Sequence, residues 1–261
     1  ILPKQVYITR LPFKMDYVFG LEGQLTEDKA LALSYSHFTP QKSPQLDMSQ
    51  SIMKQIHQKD VVLSYPYQSM DPFVQLLKEA SVNSSVVSIK ITIYRLASHA
   101  KIVEYLCQAA ENGKDVTVII ELRARFDEQN NIDWSERLEE AGCRVIYGFE
   151  DYKVHSKVCQ ITLHDKTGIH YITQIGTGNY NEKTAKQYTD ISLITANQAI
   201  GSDAALFFKN MAIGQPSDRY EHFLVSPKYL KSSIIELINK EIAKGAEGRI
   251  LLKLNSITDI D

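Results

Sequence analysis

Alternating apolar strands and amphipathic helices between residues 61 and 147 constrain the fold of this 261-residue chain most strongly. Runs rich in β-branched residues predict buried strands over residues 61–64, 86–94, 116–122 and 144–147. Helical periodicity predicts a helix that begins at Asp71 and helices over residues 100–111 and 133–140. Such alternation is typical of βαβ units, so we expect a largely parallel sheet flanked by helices.

The next part of the chain changes this pattern. A predicted strand over residues 154–163 is followed by the turn sequence Asp165-Lys166-Thr167-Gly168 and a second strand over 171–175. This arrangement indicates a hairpin, so we expect an α/β fold with a mixed sheet. The remaining predicted elements are a strand over 191–195, a helix over 197–211, and a β-α-β unit over 223–225, 230–243 and 250–254.

The composition limits the classes of function. A hydrophobic content of 44%, a charged content of 23% and a net charge of −2 are ordinary for a globular protein and give no support to nucleic-acid binding. Any polyanion site must come from a local group of Lys and Arg. Three widely spaced cysteines, Cys107, Cys143 and Cys159, fit reduced thiols better than a disulfide framework or a zinc site. No apolar run approaches the roughly 20 residues of a membrane helix.

The first 46 residues have a different character. Four prolines and a polar stretch over residues 39–50 predict a connecting segment and a boundary near residue 46. The chain begins with Ile1 rather than Met, and both ends read as mid-protein. We therefore expect a fragment of a longer chain.

A histidine two residues before a lysine occurs four times, beginning at His57, His99, His155 and His164. Only His155 falls within a predicted strand whose neighbour delivers a glycine-rich turn, Gly176-Thr177-Gly178-Asn179. Alternate strand residues share a face, so the pattern predicts that His155 and Lys157 project together. The alternative, a structural histidine on a strand, stays open.

These residue types suit phosphoryl transfer. A neutral imidazole is an uncharged nucleophile at pH 7, and Lys157 would supply a positive charge beside it. The turn would add backbone N–H groups at Gly176 and Gly178 and the amide of Asn179, although a pair of glycines is a weak phosphate signal. Tyr188 could stack on a base, contact a phosphate or serve only in packing.

Arginines follow two predicted strands. Arg95 follows one strand, and Arg123 and Arg125 follow the next. Ligands of open α/β sheets collect at the carboxyl ends of strands, so these cations are candidates for holding phosphate oxygens. The alternative is that they pair with nearby carboxylates in a solvated loop.

Several ordered stretches resemble one family, the bacterial type-1 polyphosphate kinases. They are residues 89–95, 109–114, 121–128, 175–181, 183–185 and 188–190. The resemblance covers roughly residues 47–261. It implies a phospholipase-D-like fold, with 47–215 as a first catalytic domain, 216–261 as the start of a second, and 1–46 as the end of a preceding domain.

The resemblance also implies an activity and a site. Members transfer the terminal phosphate of ATP reversibly to inorganic polyphosphate through a phosphohistidine, which falls on His155 here. Two arginines that the family associates with magnesium fall on Arg95 and Arg125, and an ATP-contacting tyrosine falls on Tyr188. Because guanidinium groups are cations, we expect them to hold phosphate beside Mg²⁺ rather than to ligate the ion. A homo-oligomer in the cytoplasm, with peripheral association with the inner membrane, is implied as well.

The sequence departs from wider patterns at two points. Thr162 stands where phospholipase-D sequences have an Asp after the histidine and lysine. The family's second active-site histidine and a further ATP-binding arginine belong to the final domain, most of which this chain lacks. Two other functions stay open: a homodimeric phospholipase-D-like phosphodiesterase and a non-catalytic polyphosphate-binding module.

Overall fold

The computed structural model describes residues 2–6, 8, 10, 15–36, 38–94, 100–121, 128–215 and 219–254. The chain divides into two compact units, Ile1–Thr39 and Pro40–Asp261. The first unit contains short 3₁₀ turns and one helix, α1 (Glu27–Leu33), and none of its described side chains is buried.

The second unit is built on a seven-stranded sheet. Its strands are β1 (Val61–Tyr65), β2 (Val86–Ile93), β3 (Asp115–Ile120), β4 (Arg144–Tyr147), β5 (Val158–Asp165), β6 (Gly168–Gly176) and β7 (Asp190–Thr195). The strand order is β1-β7-β6-β5-β2-β3-β4. Strands β2, β3 and β4 are parallel to their neighbours in that group, and the other pairings are antiparallel. The predicted α/β class, the mixed sheet and the β5–β6 hairpin are confirmed.

Helices cover both faces of this sheet. They are α2 (Ile52–Gln58), α3 (Asp71–Val82), α4 (Lys101–Glu111), α5 (Glu128–Glu140) and α6 (Gln198–Ala212). A further helix, α7 (Leu230–Ile242), has no buried residue and belongs to neither core. The larger core packs α2 to α5 against one face, and a smaller core around Phe207 and Phe208 of α6 covers the other. Alternate strand residues divide between the two cores, with Val118 and Cys159 in the larger and Ile119 and Val158 in the smaller. This period-two division is what a sheet buried on both faces requires.

Local sequence explains where the helices begin and end. Pro72 occupies the first turn of α3, where its missing N–H leaves no bond unmade. The Asn197 side chain accepts hydrogen bonds from the N–H groups of Ala199 and Ile200 and so caps α6. Gly113 and Gly142 follow α4 and α5 with φ of +78° and +89°. Helices commonly end at a residue with positive φ, and glycine adopts this conformation without strain.

Three predicted strands differ from the structure. Strand β5 begins at Val158 rather than at residue 154, and residues 223–225 and 250–254 form no strand although α7 lies between them as expected. Residues 250–254 are exposed and are not part of the seven-stranded sheet. Across the described ranges, no helix combines the length and apolar character needed to cross a membrane.

Candidate active site

His155 lies just before β5, in a segment without regular secondary structure, and not inside the strand. The ladder between β2 and β5 reaches the pair Ile91 and Cys159. Beyond that pair, the Thr92 hydroxyl makes the next hydrogen bonds in place of backbone groups. It donates to the Ser156 carbonyl at 2.7 Å and accepts from the Val158 N–H at 3.1 Å. Because a side chain replaces the next backbone partner, the segment leaves the sheet where it carries His155.

The two residues of the motif nevertheless share one aromatic neighbour. The His155 ring meets the Tyr94 ring edge-on, with centroids 4.8 Å apart and planes at 75°. The Lys157 Nζ lies 5.3 Å from the centroid of the same Tyr94 ring. Both side chains therefore lie on the side of the segment that faces Tyr94.

Lys157 is almost fully buried, with 5% of its surface exposed. Its ammonium group donates to the carbonyl oxygen of His155, and its own carbonyl accepts from the Gly176 N–H at 2.9 Å. A buried ammonium is costly without partners, and the carbonyl together with the Tyr94 ring face supplies two. Lys157 is therefore held by the backbone of His155 itself and lies beside the ring of Tyr94.

A cleft of about 570 Å³ opens onto this segment. His155, Lys157 and Gly176 line it together with apolar side chains that include Val154, Phe207, Met211, Phe223 and Leu230. A concave site that is largely apolar with a few convergent polar groups is typical of a ligand site in proteins. The cleft can thus hold a ligand against the imidazole.

Residues 221–223, two of which line the cleft, are held in place by Asp203 of α6. Its buried carboxylate accepts the N–H groups of Glu221, His222 and Phe223 at 3.2, 2.5 and 2.9 Å. The His222 Nδ1 lies 3.8 Å from the same carboxylate, and His222 also lines the cleft. Sequence reasoning missed this part of the cleft because residues 203 and 222 carry no motif and meet only through the packing of α6.

The glycine-rich turn is organised around Asp190. The Thr177 hydroxyl donates to the Asp190 carboxylate at 2.7 Å, and a Cβ added at Gly178 would lie 2.7 Å from the same carboxylate. The N–H groups of Gly176 and Thr177 donate to the carbonyls of Lys157 and Ile191. Position 178 therefore requires glycine, because any Cβ there would clash with the Asp190 side chain. The N–H groups of Gly176 and Thr177 are used in binding the sheet and are not directed at a ligand.

Asn179 and Tyr188 are placed away from the walls of the cleft, which none of their atoms line. Asn179 is half-buried, and its Oδ1 has no hydrogen-bond partner within the described residues. Tyr188 is 56% exposed and follows a 3₁₀ turn that contains the exposed Lys186. The buried Tyr180 lies between them in sequence and donates its hydroxyl to Gln174 on β6, which fixes the turn to the sheet.

Arg95, Arg123 and Arg125 lie outside the described residues. The structure does describe the residues just before them, Tyr94 and Glu121, at the ends of β2 and β3. Tyr94 contacts His155, and the buried Glu121 carboxylate accepts the Val154 N–H at 2.9 Å. The carboxyl ends of these parallel strands thus meet at the His155 segment, as the sequence predicts. Neither Tyr94 nor Glu121 was singled out as a site residue, because their roles depend on how residues 148–157 return to the sheet.

The described side chains do not form a ligand set for magnesium. Within these parts of the chain, no group of three or more His, Cys, Asp and Glu side chains is placed to hold a metal ion. Magnesium prefers oxygen ligands in octahedral geometry, which imidazole, ammonium and guanidinium groups do not offer.

Comparison with known proteins identifies the family. A family model described as polyphosphate kinase C-terminal domain 1 matches residues 51–216. The polyphosphate kinase of Staphylococcus epidermidis is 37% identical over 257 residues, covering 97% of this chain and 35% of the relative. That of Rhodopirellula baltica is 38% identical over 262 residues, covering 99% of this chain and 30% of the relative. The chain therefore spans about a third of the length of these curated relatives.

A solved structure extends the likeness to three dimensions. The crystal structure of polyphosphate kinase from Porphyromonas gingivalis superposes with a TM-score of 0.73 at 36% identity, covering 87% of this chain and 38% of that one. The family model, in turn, matches the sheet from α2 through α6 and includes His155, Lys157 and the glycine-rich turn. On this evidence, the chain belongs to the polyphosphate kinase family.

Proposed function

We propose that this chain is part of an ATP:polyphosphate phosphotransferase in which His155 carries the phosphoryl group. The observation that carries the proposal is an imidazole at the wall of a cleft with the buried ammonium of Lys157 beside it. Phosphoryl transfer depends mainly on positioning and on neutralising charge on the phosphate oxygens. The fixed aromatic and cationic neighbours of His155 suit both requirements.

In the proposed first step, a ring nitrogen of neutral His155 attacks the γ-phosphorus of ATP. A nitrogen–phosphorus bond forms, the bond to the bridging oxygen of the β-phosphate breaks, and ADP leaves with that oxygen. In the second step, a terminal oxygen of polyphosphate attacks the phosphohistidine and restores the imidazole. Lys157 stabilises the charge on the transferred group in both steps. The reaction is reversible because each step exchanges one phosphoryl bond for another.

The other predicted residues have supporting roles in this proposal. Arg95 and Arg125 hold phosphate oxygens, and Gly176 and Gly178 keep the turn compact beside Lys157. Asn179 and Tyr188, which do not line the cleft, contact parts of the substrates that extend beyond it. Magnesium arrives with ATP as part of the substrate, because phosphate oxygens supply the ligands that it prefers.

We further propose that the chain is a piece of a longer enzyme. Residues 47–215 would form the first catalytic domain and 216–261 the start of a second, which would complete the site. The full-length enzyme would form a homo-oligomer. A cytoplasmic location fits the three free, buried cysteines. Peripheral association with the inner membrane completes this proposal.

Incubation of the full-length protein with ATP, Mg²⁺ and short polyphosphate tests the activity. We expect polyphosphate to lengthen by one phosphate unit for each ADP formed. When ADP and an excess of polyphosphate are supplied, we expect ATP to form. Hydrolysis of a phosphodiester substrate without polyphosphate growth would instead favour the phosphodiesterase. Salt-dependent polyphosphate binding with no transfer would favour a binding module.

A further inference from the structure

The segment that carries His155 is anchored on both sides of the histidine by buried groups. At its start, the Gly148 N–H donates to the carbonyl of Ile120 at 3.0 Å. At its end, Thr92 binds the backbone of Ser156 and Val158. The anchor nearest to His155 on its N-terminal side is the hydrogen bond from the Val154 N–H to Glu121 Oε2.

Glu121 is an unusual residue to find at this depth. It follows β3 directly and is 1% exposed, and a carboxylate is costly to bury unless it makes hydrogen bonds. Its backbone is held as well, since its N–H donates to the Ile93 carbonyl and its carbonyl accepts from Asn131 Nδ2, both at 3.0 Å. The side chain therefore leaves from a fixed point at the junction of β2 and β3.

Asn131 of α5 joins this anchor to the aromatic contact of His155. Its amide is fully buried and donates to the carbonyls of both Glu121 and Tyr94, each at 3.0 Å. Tyr94 in turn contacts the His155 ring. Two paths therefore converge on the histidine: one reaches its backbone through Glu121 and Val154, and the other reaches its ring through Asn131 and Tyr94.

We propose that Glu121 is a positioning residue that sets the attack geometry of His155 by fixing the Val154 backbone, with Asn131 locking both paths together. The inference rests on the proposed role of His155 as phosphoryl acceptor. Misplacing a reacting atom by about 1 Å costs on the order of 100-fold in rate.

The test compares Glu121→Ala with Glu121→Gln in the full-length protein. The glutamine keeps an acceptor oxygen for Val154, whereas the alanine removes it. At saturating ATP we expect His155 phosphorylation to slow by about 10- to 100-fold in Glu121→Ala. The KM for ATP should stay within about threefold, because Glu121 acts through the histidine rather than on the nucleotide. In Glu121→Gln the rate of His155 phosphorylation should stay within about threefold of the wild-type rate.

Amide hydrogen exchange at Val154 gives a readout that does not depend on activity. Protection should fall at least about tenfold in Glu121→Ala and persist in Glu121→Gln. Wild-type phosphorylation in a folded Glu121→Ala variant would overturn the proposal. So would loss of activity in either variant with the Val154 amide still protected, since Glu121 would then act by another route.

Two further variants keep the test decisive. If Glu121→Ala does not fold, Asn131→Asp removes both amide donations with almost no change of shape and should slow phosphorylation in the same way; wild-type rates there would overturn the proposal. Glu140→Ala, on the exposed side of the same helix, is the matched control. If wild type itself forms no phosphohistidine, the proposed function fails, whereas the exchange result still decides whether Glu121 fixes this segment.

Discussion

The ring of Tyr94 meets the imidazole of His155 edge-on, with centroids 4.8 Å apart. Aromatic pairs in this geometry contribute about 0.5–1.5 kcal/mol beyond their burial. Replacement of Tyr94 by Leu should free the imidazole and slow His155 phosphorylation by about 10-fold or more, whereas Phe keeps the ring and should stay within about threefold of wild type. Single-turnover phosphorylation measures both rates. Equal rates for the Leu and Phe variants would show that the ring does not position His155.

Lys157 offers a separate test of charge. Lys157→Met keeps the length of the side chain and removes the ammonium, so transfer should slow by about 100-fold. Folding should not suffer, because an apolar side chain replaces a buried charge. Phosphorylation rates and thermal unfolding together check the prediction, with Lys166→Met in the exposed β5–β6 turn as control. A wild-type rate in Lys157→Met would contradict the proposed role.

The Thr92 hydroxyl bridges two backbone groups of the His155 segment. Thr92→Val has nearly the same shape but leaves the Ser156 carbonyl and Val158 N–H without this partner. We expect the free energy of unfolding to fall by about 1–3 kcal/mol and phosphorylation to slow as well. Thr92→Ser keeps the hydroxyl, so its free energy of unfolding should fall by less than half of the loss in Thr92→Val. Urea unfolding distinguishes the two variants, and equal losses would show that the hydroxyl bonds contribute little.

Alkaline pH should destabilise the second unit through Tyr65. Burial raises the pKa of Tyr65 to about 12, above the value of about 10 for an unfolded chain. The neutral phenol is therefore favoured in the fold, and its contribution is complete below pH 10 and lost as pH rises toward 12. The shift corresponds to about 3 kcal/mol. In urea unfolding between pH 9 and 12, the free energy of unfolding should fall less in Tyr65→Phe than in wild type, and the difference should be about this amount. An identical pH dependence in both proteins would contradict the assignment.

The sheet was predictable because each strand and helix carries its own periodic signal. Residues 86–93 and 115–120 are rich in β-branched residues and mostly buried, as expected for strands covered on both faces, and Gly113 and Gly142 mark where helices end. The hairpin followed from the turn sequence between β5 and β6. These features depend on neighbours within a few residues, and local sequence is sufficient to predict them.

The surroundings of His155 were only partly predictable, because they depend on contacts between distant residues. The start of β5 was misplaced since Thr92, more than 60 residues earlier in the chain, replaces the backbone partner that would have extended the strand. The Glu121 carboxylate looked like a partner for nearby arginines, yet it also binds the Val154 backbone. Asn131 lies on α5 with no motif around it. Such residues become visible only when the strand ends and the returning segment are placed together.

The residue that carries the phosphoryl group decides whether His155 is the nucleophile. After incubation of the full-length protein with γ-labelled ATP and Mg²⁺, we expect acid-labile, base-stable label on His155. The label should be absent from His155→Ala and present in His164→Ala, which alters an exposed histidine of the same sequence pattern. Label that survives in His155→Ala, or that maps to another residue in wild type, would show that His155 does not carry the phosphoryl group.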